Sequence, residues 1–138
     1  MKRRRVVTVL FVTYCLFLLW LTILSRKPRA VERIFKWQLL WSYRAWIAKE
    51  QYGKTESIQN INNILAFIPF GLLFPQKQLR LLIIAALVFS SAIEIVQFAA
   101  NLGWYEIDDV ICNTLGAGLG WLLWIGIKRV KEKENAKT

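Results

Sequence analysis

Apolar positions along this chain gather into four blocks separated by polar and basic stretches: Val6 to Leu24, about Ile58 to Phe74, about Leu79 to Ala100, and about Val110 to Ile127. The first is 19 residues without a charge, about 28 Å of helix, close to the ~30 Å hydrocarbon core of a bilayer. A water-soluble fold would have to expose such runs. The pattern therefore predicts an all-α integral membrane protein, a four-helix transmembrane bundle. The second block is the weak one, because only about 14 apolar-weighted positions, roughly 21 Å of helix, lie between Ile61 and Pro75, and Pro69 interrupts them. It reads as a short, kinked or partly re-entrant helix.

Between the first two blocks, Val31, Ile34, Phe35, Trp37, Leu40, Trp41, Tyr43, Trp46 and Ile47 alternate with Arg33, Lys36, Arg44 and Lys49 at roughly helical spacing. Such a mixture predicts an amphipathic helix in the headgroup region. The chain then divides into a basic flank with the first helix (1–27), an amphipathic interfacial segment (28–57), a membrane core of three helices (58–127) and a basic tail (128–138).

Composition sharpens this picture. Hydrophobic residues make up 56% of the 138, and the net charge is +10. That charge sits at the ends of the apolar runs and in the loop between the first two, where membrane proteins place it, so anionic lipid headgroups and not nucleic acid are the expected partner. The first block resembles a signal peptide only superficially: it is longer than an h-region and ends in Ser25-Arg26-Lys27-Pro28, so it is read as an uncleaved helix. With four crossings and the N-terminus inside, 11 basic residues lie inside and eight outside. The mirror arrangement with a re-entrant second block gives 15 inside and 4 outside. The compact Lys2 to Arg5 cluster resists translocation and favours the first. Both termini are then cytoplasmic, and Asn101 to Asp109 lies outside.

Histidine is absent and the two cysteines, Cys15 and Cys112, are isolated. His-activated nucleophiles, His-ligated zinc and disulfide frameworks are thereby excluded, and no metal or cofactor is assigned. The informative residues are instead the polar ones inside apolar blocks, which are expensive in hydrocarbon. Ser90, Glu94, Gln97 and Asn101 fall on one helical face, as do Asp109, Asn113, Gly116 and Gly120. The two stripes predict a hairpin of the third and fourth helices, its turn bent at Gly103, with Gly116 and Gly120 letting backbones approach. Asp108 and Asp109 stand at a helix start as caps or as functional acids. Glu94 is too deep in its helix to cap it; it reads as a proton-bearing carboxyl hydrogen-bonded to Gln97 and Asn113, or as a functional acid. Glu94, Glu106, Asp108 and Asp109 could also ligate a divalent cation, which their spacing alone does not assign. Asn60, Asn62 and Asn63 open the second block at the same level.

Four of these stretches together, Asn63-Ile64-Leu65, Phe67-Ile68-Pro69-Phe70-Gly71, Ile93-Glu94-x-x-Gln97 and Ile107-Asp108-Asp109-Val110-Ile111-x-Asn113-Thr114-x-Gly116, resemble the VanZ-like family of bacterial membrane proteins over residues 58 to 127. The resemblance marks Asn63, Pro69, Gly71, Glu94, Gln97, Asp108, Asp109, Asn113 and Gly116 as family positions; by the reading of the residues Asn63, Glu94, Gln97, Asp108, Asp109 and Asn113 form a polar pocket, and Pro69, Gly71, Gly116 and Gly120 serve packing or a kink. It implies a cytoplasmic-membrane protein acting at the cell envelope and associated with lowered susceptibility to glycopeptides such as teicoplanin. A lipophilic glycopeptide or a lipid-linked cell-wall precursor is the implied partner. The mechanism is binding or shielding, or alternatively an enzyme using Glu94 with Asp108 or Asp109, or a proton-coupled carrier. The chain departs from the family's pattern at Gly103-Trp104-Tyr105, where a basic residue often precedes an aromatic.

Overall fold

The computed structural model describes residues 2–28, 34–76 and 78–136. Five α-helices and two short strands follow in the order α1 (Lys2–Leu19), β1 (Phe35–Lys36), α2 (Trp41–Ile47), α3 (Gly53–Leu73), α4 (Leu79–Ala99), β2 (Tyr105–Glu106) and α5 (Ile107–Asn135). Helix α1 continues into a wider π-type turn over Trp20–Leu24. Three segments are long and apolar enough to cross a membrane: Arg4–Leu24, Leu79–Ala99 and Ile107–Asn135.

Helix α3 is not among them, and its composition explains why. It starts at Gly53 rather than at 58, so 21 residues are helical, but the first half reads Gly-Lys-Thr-Glu-Ser-Ile-Gln-Asn. Its inward face is correspondingly divided: Glu56, Ser57 and Asn60 are buried in the first half, Phe67, Phe70 and Gly71 in the second. Pro69 neither ends it nor turns it back, since the helix runs on to Leu73. The carbonyl that Pro69 leaves without an amide belongs to Leu65, and one residue along the Tyr14 hydroxyl of α1 donates to Ala66 O at 2.7 Å.

The amphipathic helix expected before α3 is shorter than the sequence pattern suggested. Only the seven residues Trp41–Ile47 are helical, while β1 pairs in parallel with β2, Phe35 opposite Tyr105 and Lys36 opposite Glu106. Val31 and Arg33 lie outside the described residues. At the other end, α5 passes through the expected boundary at 128 without a break.

Packing is closest between α3 and α5, where glycines bring backbones together. A Cβ at Gly71 would lie 1.9 Å from Ala117 O, at Gly116 2.1 Å from Ile64 O, and at Gly120 2.0 Å from Ile68 O. The small-residue stripe of α5 thus faces α3, not the α4 partner that the hairpin reading assigned to it. An apolar core of Leu18, Phe67, Phe70, Phe74, Leu82, Ala86, Ile93 and Ala117 lies between α1, α3, α4 and α5. Phe11 crosses edge-on to Phe70 and Phe74 at 4.9 and 5.5 Å between ring centroids. Outward, Val9, Leu16, Leu24, Val88, Leu115 and Leu122 are exposed. Polar inside and apolar outside is the arrangement that hydrocarbon solvent selects.

Candidate functional site

The C-terminal ends of α1 and α4 and the N-terminal halves of α3 and α5 meet at one end of the bundle, roofed by α2 and the β1–β2 pair. Each junction is a side-chain hydrogen bond. Gln97 of α4 donates from Nε2 to Thr22 O at 2.9 Å, capping one of the carbonyls that any helix C-terminus leaves free. Gln59 of α3 donates to Asp109 Oδ2 of α5 at 3.2 Å. Asn113 of α5 donates from Nδ2 to Ser90 Oγ of α4 at 2.7 Å, and Asn60 of α3 donates to Ser42 Oγ of α2 at 3.0 Å.

Inside this end lie five buried acids, Glu56, Glu94, Glu106, Asp108 and Asp109. Glu94, only 2% exposed, accepts the backbone N–H of Glu106 at 3.2 Å. The bonds to Gln97 and Asn113 expected of it are not made, because Gln97 donates to Thr22 O and Asn113 to Ser90 Oγ, one turn earlier on the helix that carries Glu94. Asp108 and Asp109 are not caps of their own helix either. The residue before α5 is Glu106, with no side-chain cap bond, and both aspartates point into tertiary contacts. Asp108 Oδ1 accepts from Leu40 N–H at 2.9 Å, 68 residues away in sequence. Leu40 has a left-handed backbone, φ 56°, unfavourable for a leucine, and its bond to a buried carboxylate holds it there.

Glu106 ties the roof to the floor. Its carboxylate accepts from Trp41 Nε1 at 3.1 Å, and its amide reaches Glu94. Burial, then the neighbouring charges of Asp109, Glu56 and Asp108, push its carboxyl up to about 8, against a smaller opposing effect of the Trp41 hydrogen bond. Burial thus disfavours its charged form. Over it, Lys36 Nζ lies 4.4 Å from the Trp41 ring and 4.8 Å from that of Trp104.

The six polar residues marked in the sequence are thus brought to one region, in unequal roles. Gln97 and Asn113 each donate one interhelical hydrogen bond. Asn63 sets its amide beside Asp109, but Asn63 Nδ2 and Asp109 Oδ1 are both buried and unpartnered. The sequence reading gave no site role to Arg26, Gln59, Trp41 or Ser42, whose partners lie far along the chain, nor to Glu56, whose place on the face of Asn60 and Asn63 was a usable clue. Among the described residues no three acidic or cysteine side chains converge as a metal site would require, so the divalent cation reading finds no geometry here. Gly103 has an ordinary φ; the bend after α4 is made by Asn101, φ 56°. Leu102 N–H donates to Gln97 O and Asn101 N–H to Phe98 O, the paired bonds of a left-handed C-terminal cap.

The sequence profile of the VanZ/LLP1 family matches residues 11–129, from the middle of α1 to the exposed end of α5. The chain belongs to the VanZ/LLP1 family. It is 39% identical over 79 residues to "Protein VanZ" of Enterococcus faecium, an alignment covering 54% of this chain and 49% of that protein. The chain thus spans about half the length of the curated relative it matches. No solved structure matches it. Family membership and three apolar helices together make this VanZ/LLP1 chain a membrane protein, and the match takes in every member of the acidic cluster.

Proposed function

We propose that this protein lowers susceptibility to glycopeptide antibiotics such as teicoplanin by a binding or shielding action at the outer face of the bacterial cytoplasmic membrane, without catalysis. The observation that carries the reading is how the acidic cluster is employed. Its carboxylates hold backbone amides of two loops, Leu40 and Glu106. That arrangement builds a shaped, pre-organised end to the bundle.

In this reading all four long helices cross, the polar first half of α3 being sheltered by α2 and α5. Both termini are cytoplasmic and the acidic end faces outward. The partners are anionic lipid at the rim and, above the roof, a lipophilic glycopeptide or a membrane-anchored cell-wall precursor.

The test is a susceptibility panel across glycopeptides, with and without the protein. Selective protection against a lipophilic glycopeptide is expected; a flat panel overturns the reading. Glu94→Gln keeps size and hydrogen bonding but removes titration. Protection should survive it at unchanged protein level, whereas an enzyme or proton carrier working through Glu94 would lose it.

A further inference from the structure

Helix α5 is longer than a bilayer requires. Its 29 residues make about 43 Å of helix against ~30 Å of hydrocarbon, and the uncharged run 110–127 accounts for about 27 Å of that length. Past Ile127, at the end away from the acidic cluster, residues 128–135 continue the helix and all of them are exposed. So short a stretch gains little from helix propensity alone. The Lys128–Glu132 pair within it, at 3.5 Å, lies at the surface, where an ion pair contributes little.

Along this part of α5 runs a groove of about 770 Å³, walled by Ile68 of α3 and by α5 itself from Leu119 to Glu134. Helix α5 packs on α3 and α4, and among the described residues neither fills the groove: Leu123, Ile127 and Val130 are exposed, and Gly126 has nothing within 4 Å of an added Cβ. Lipid chains suffice to cover its hydrocarbon part. The groove, however, passes the end of the apolar run and continues by Val130 and Lys131 to Glu134, about 10 Å further, where an acyl chain would have to leave hydrocarbon for water. A protein helix can follow it throughout. Lys131 and Glu134 line this outer part together, three residues apart and so on one helical face. Copies of a membrane protein insert with one orientation, so two α5 helices paired about an axis along the membrane normal run parallel. Each Lys131 then stands about 4.5 Å in height from the partner's Glu134, within reach of two long side chains. A face carrying both charges at this spacing is complementary to itself.

We propose that a second copy of this chain docks in the groove, α5 against α5 about a two-fold axis normal to the membrane. Leu123, Ile127 and Val130 pack across the axis, and Lys131 pairs with the partner's Glu134. The dimer stands apart from the resistance role proposed above: it is formed at the opposite end of α5 from Asp108 and Asp109 and uses no residue of the acidic cluster.

The experiment is oxidative crosslinking of the full chain in native membranes, with Cys15 and Cys112 replaced. Val130→Cys should join two copies, and Val9→Cys, an exposed position of α1 toward the same membrane surface, should not. In the Val130→Cys chain, Lys131→Glu turns two attractions per dimer into two repulsions. Each change is worth a few-fold at a surface, so the joined product should fall about tenfold. Glu134→Lys should do the same. The double variant Lys131→Glu with Glu134→Lys should recover the product, and the two single variants, carrying different tags, should join each other in preference to themselves. Lys131 and Glu134 are both exposed, so these changes leave the fold intact, and labelling with a maleimide shows that each thiol is reactive. Monomer alone from a reactive Val130→Cys chain overturns the proposal, as does equal joining through Val9→Cys, the mark of chance collision. Joined product indifferent to charge reversal also overturns it, and joining to a protein of another mass assigns the groove to a different partner and overturns it as well.

Discussion

Single residues at the acidic end are held in conformations and ionisation states that their types do not favour. Lys49 closes α2 with a left-handed backbone, φ 59°, in a cap where Lys49 N–H donates to Trp46 O and Glu50 N–H to Ala45 O. Glycine is the residue suited to that position. Lys49→Gly should therefore raise stability by about 1 kcal/mol, visible as a higher midpoint of thermal unfolding in detergent; a lower midpoint would mean that the lysine side chain contributes contacts outweighing the strain. Glu106 offers a pH-dependent measurement. Its carboxyl titrates near the ordinary value of 4.5 when unfolded and at about 8 when folded, so between these limits the folded state binds the extra proton. Its share of stability is complete below about pH 4.5 and is lost as pH rises through about 8. Glu106→Gln cannot lose a proton and keeps an acceptor for Trp41. The variant should match the wild type in acid and exceed it above about pH 8, in the same unfolding assay run across pH.

At the scale of elements, the decisive contact is the seam where α3 and α5 touch backbone to backbone. Gly116 is the clearest position, because an added Cβ would strike Ile64 O, a carbonyl that cannot swing aside as a side chain could. Gly118, two residues on and so on the opposite face of the same helix, has nothing within 4 Å of a Cβ. Gly116→Val should cost about 2 kcal/mol or more through overpacking and reduce folded protein on size exclusion, while Gly118→Ala should be neutral or slightly favourable. Equal behaviour of the two would show that the helices are not in contact there. Because Asn113 and Asp109 lie on the same helix about one turn and two turns before this seam, a shift of α5 would also misplace the acids it carries.

For the whole molecule, the four long helices alternate in direction, so one end collects Arg26, the polar half of α3, Gln97 and Asp109 while the other collects the basic tail. The orientation proposed above follows from the Lys2 to Arg5 cluster staying inside. A cysteine at Lys49, with Cys15 and Cys112 replaced, should react with an impermeant thiol reagent in intact cells. Reaction only after permeabilisation would reverse the orientation and place the acidic cluster at the cytoplasmic face.

The apolar blocks determined by themselves that this chain is built of membrane-length helices, because burial in hydrocarbon is a property of composition and run length and needs no partner. The same reasoning located the polar residues Glu94, Gln97, Asp108, Asp109 and Asn113, since a polar group in an apolar run is conspicuous whatever surrounds it. What these groups bond to was decided only by tertiary structure. Spacing places Asp108 at a helix start, but its partner, Leu40, is 68 residues away. Likewise, periodicity shows that Gly116 and Gly120 share a face, yet a helix face does not carry the identity of the helix packed on it, and α3 rather than α4 occupies it. Hydrogen-bond partners and helix neighbours depend on how chain segments distant in sequence meet, and that information is not contained in any one segment's pattern.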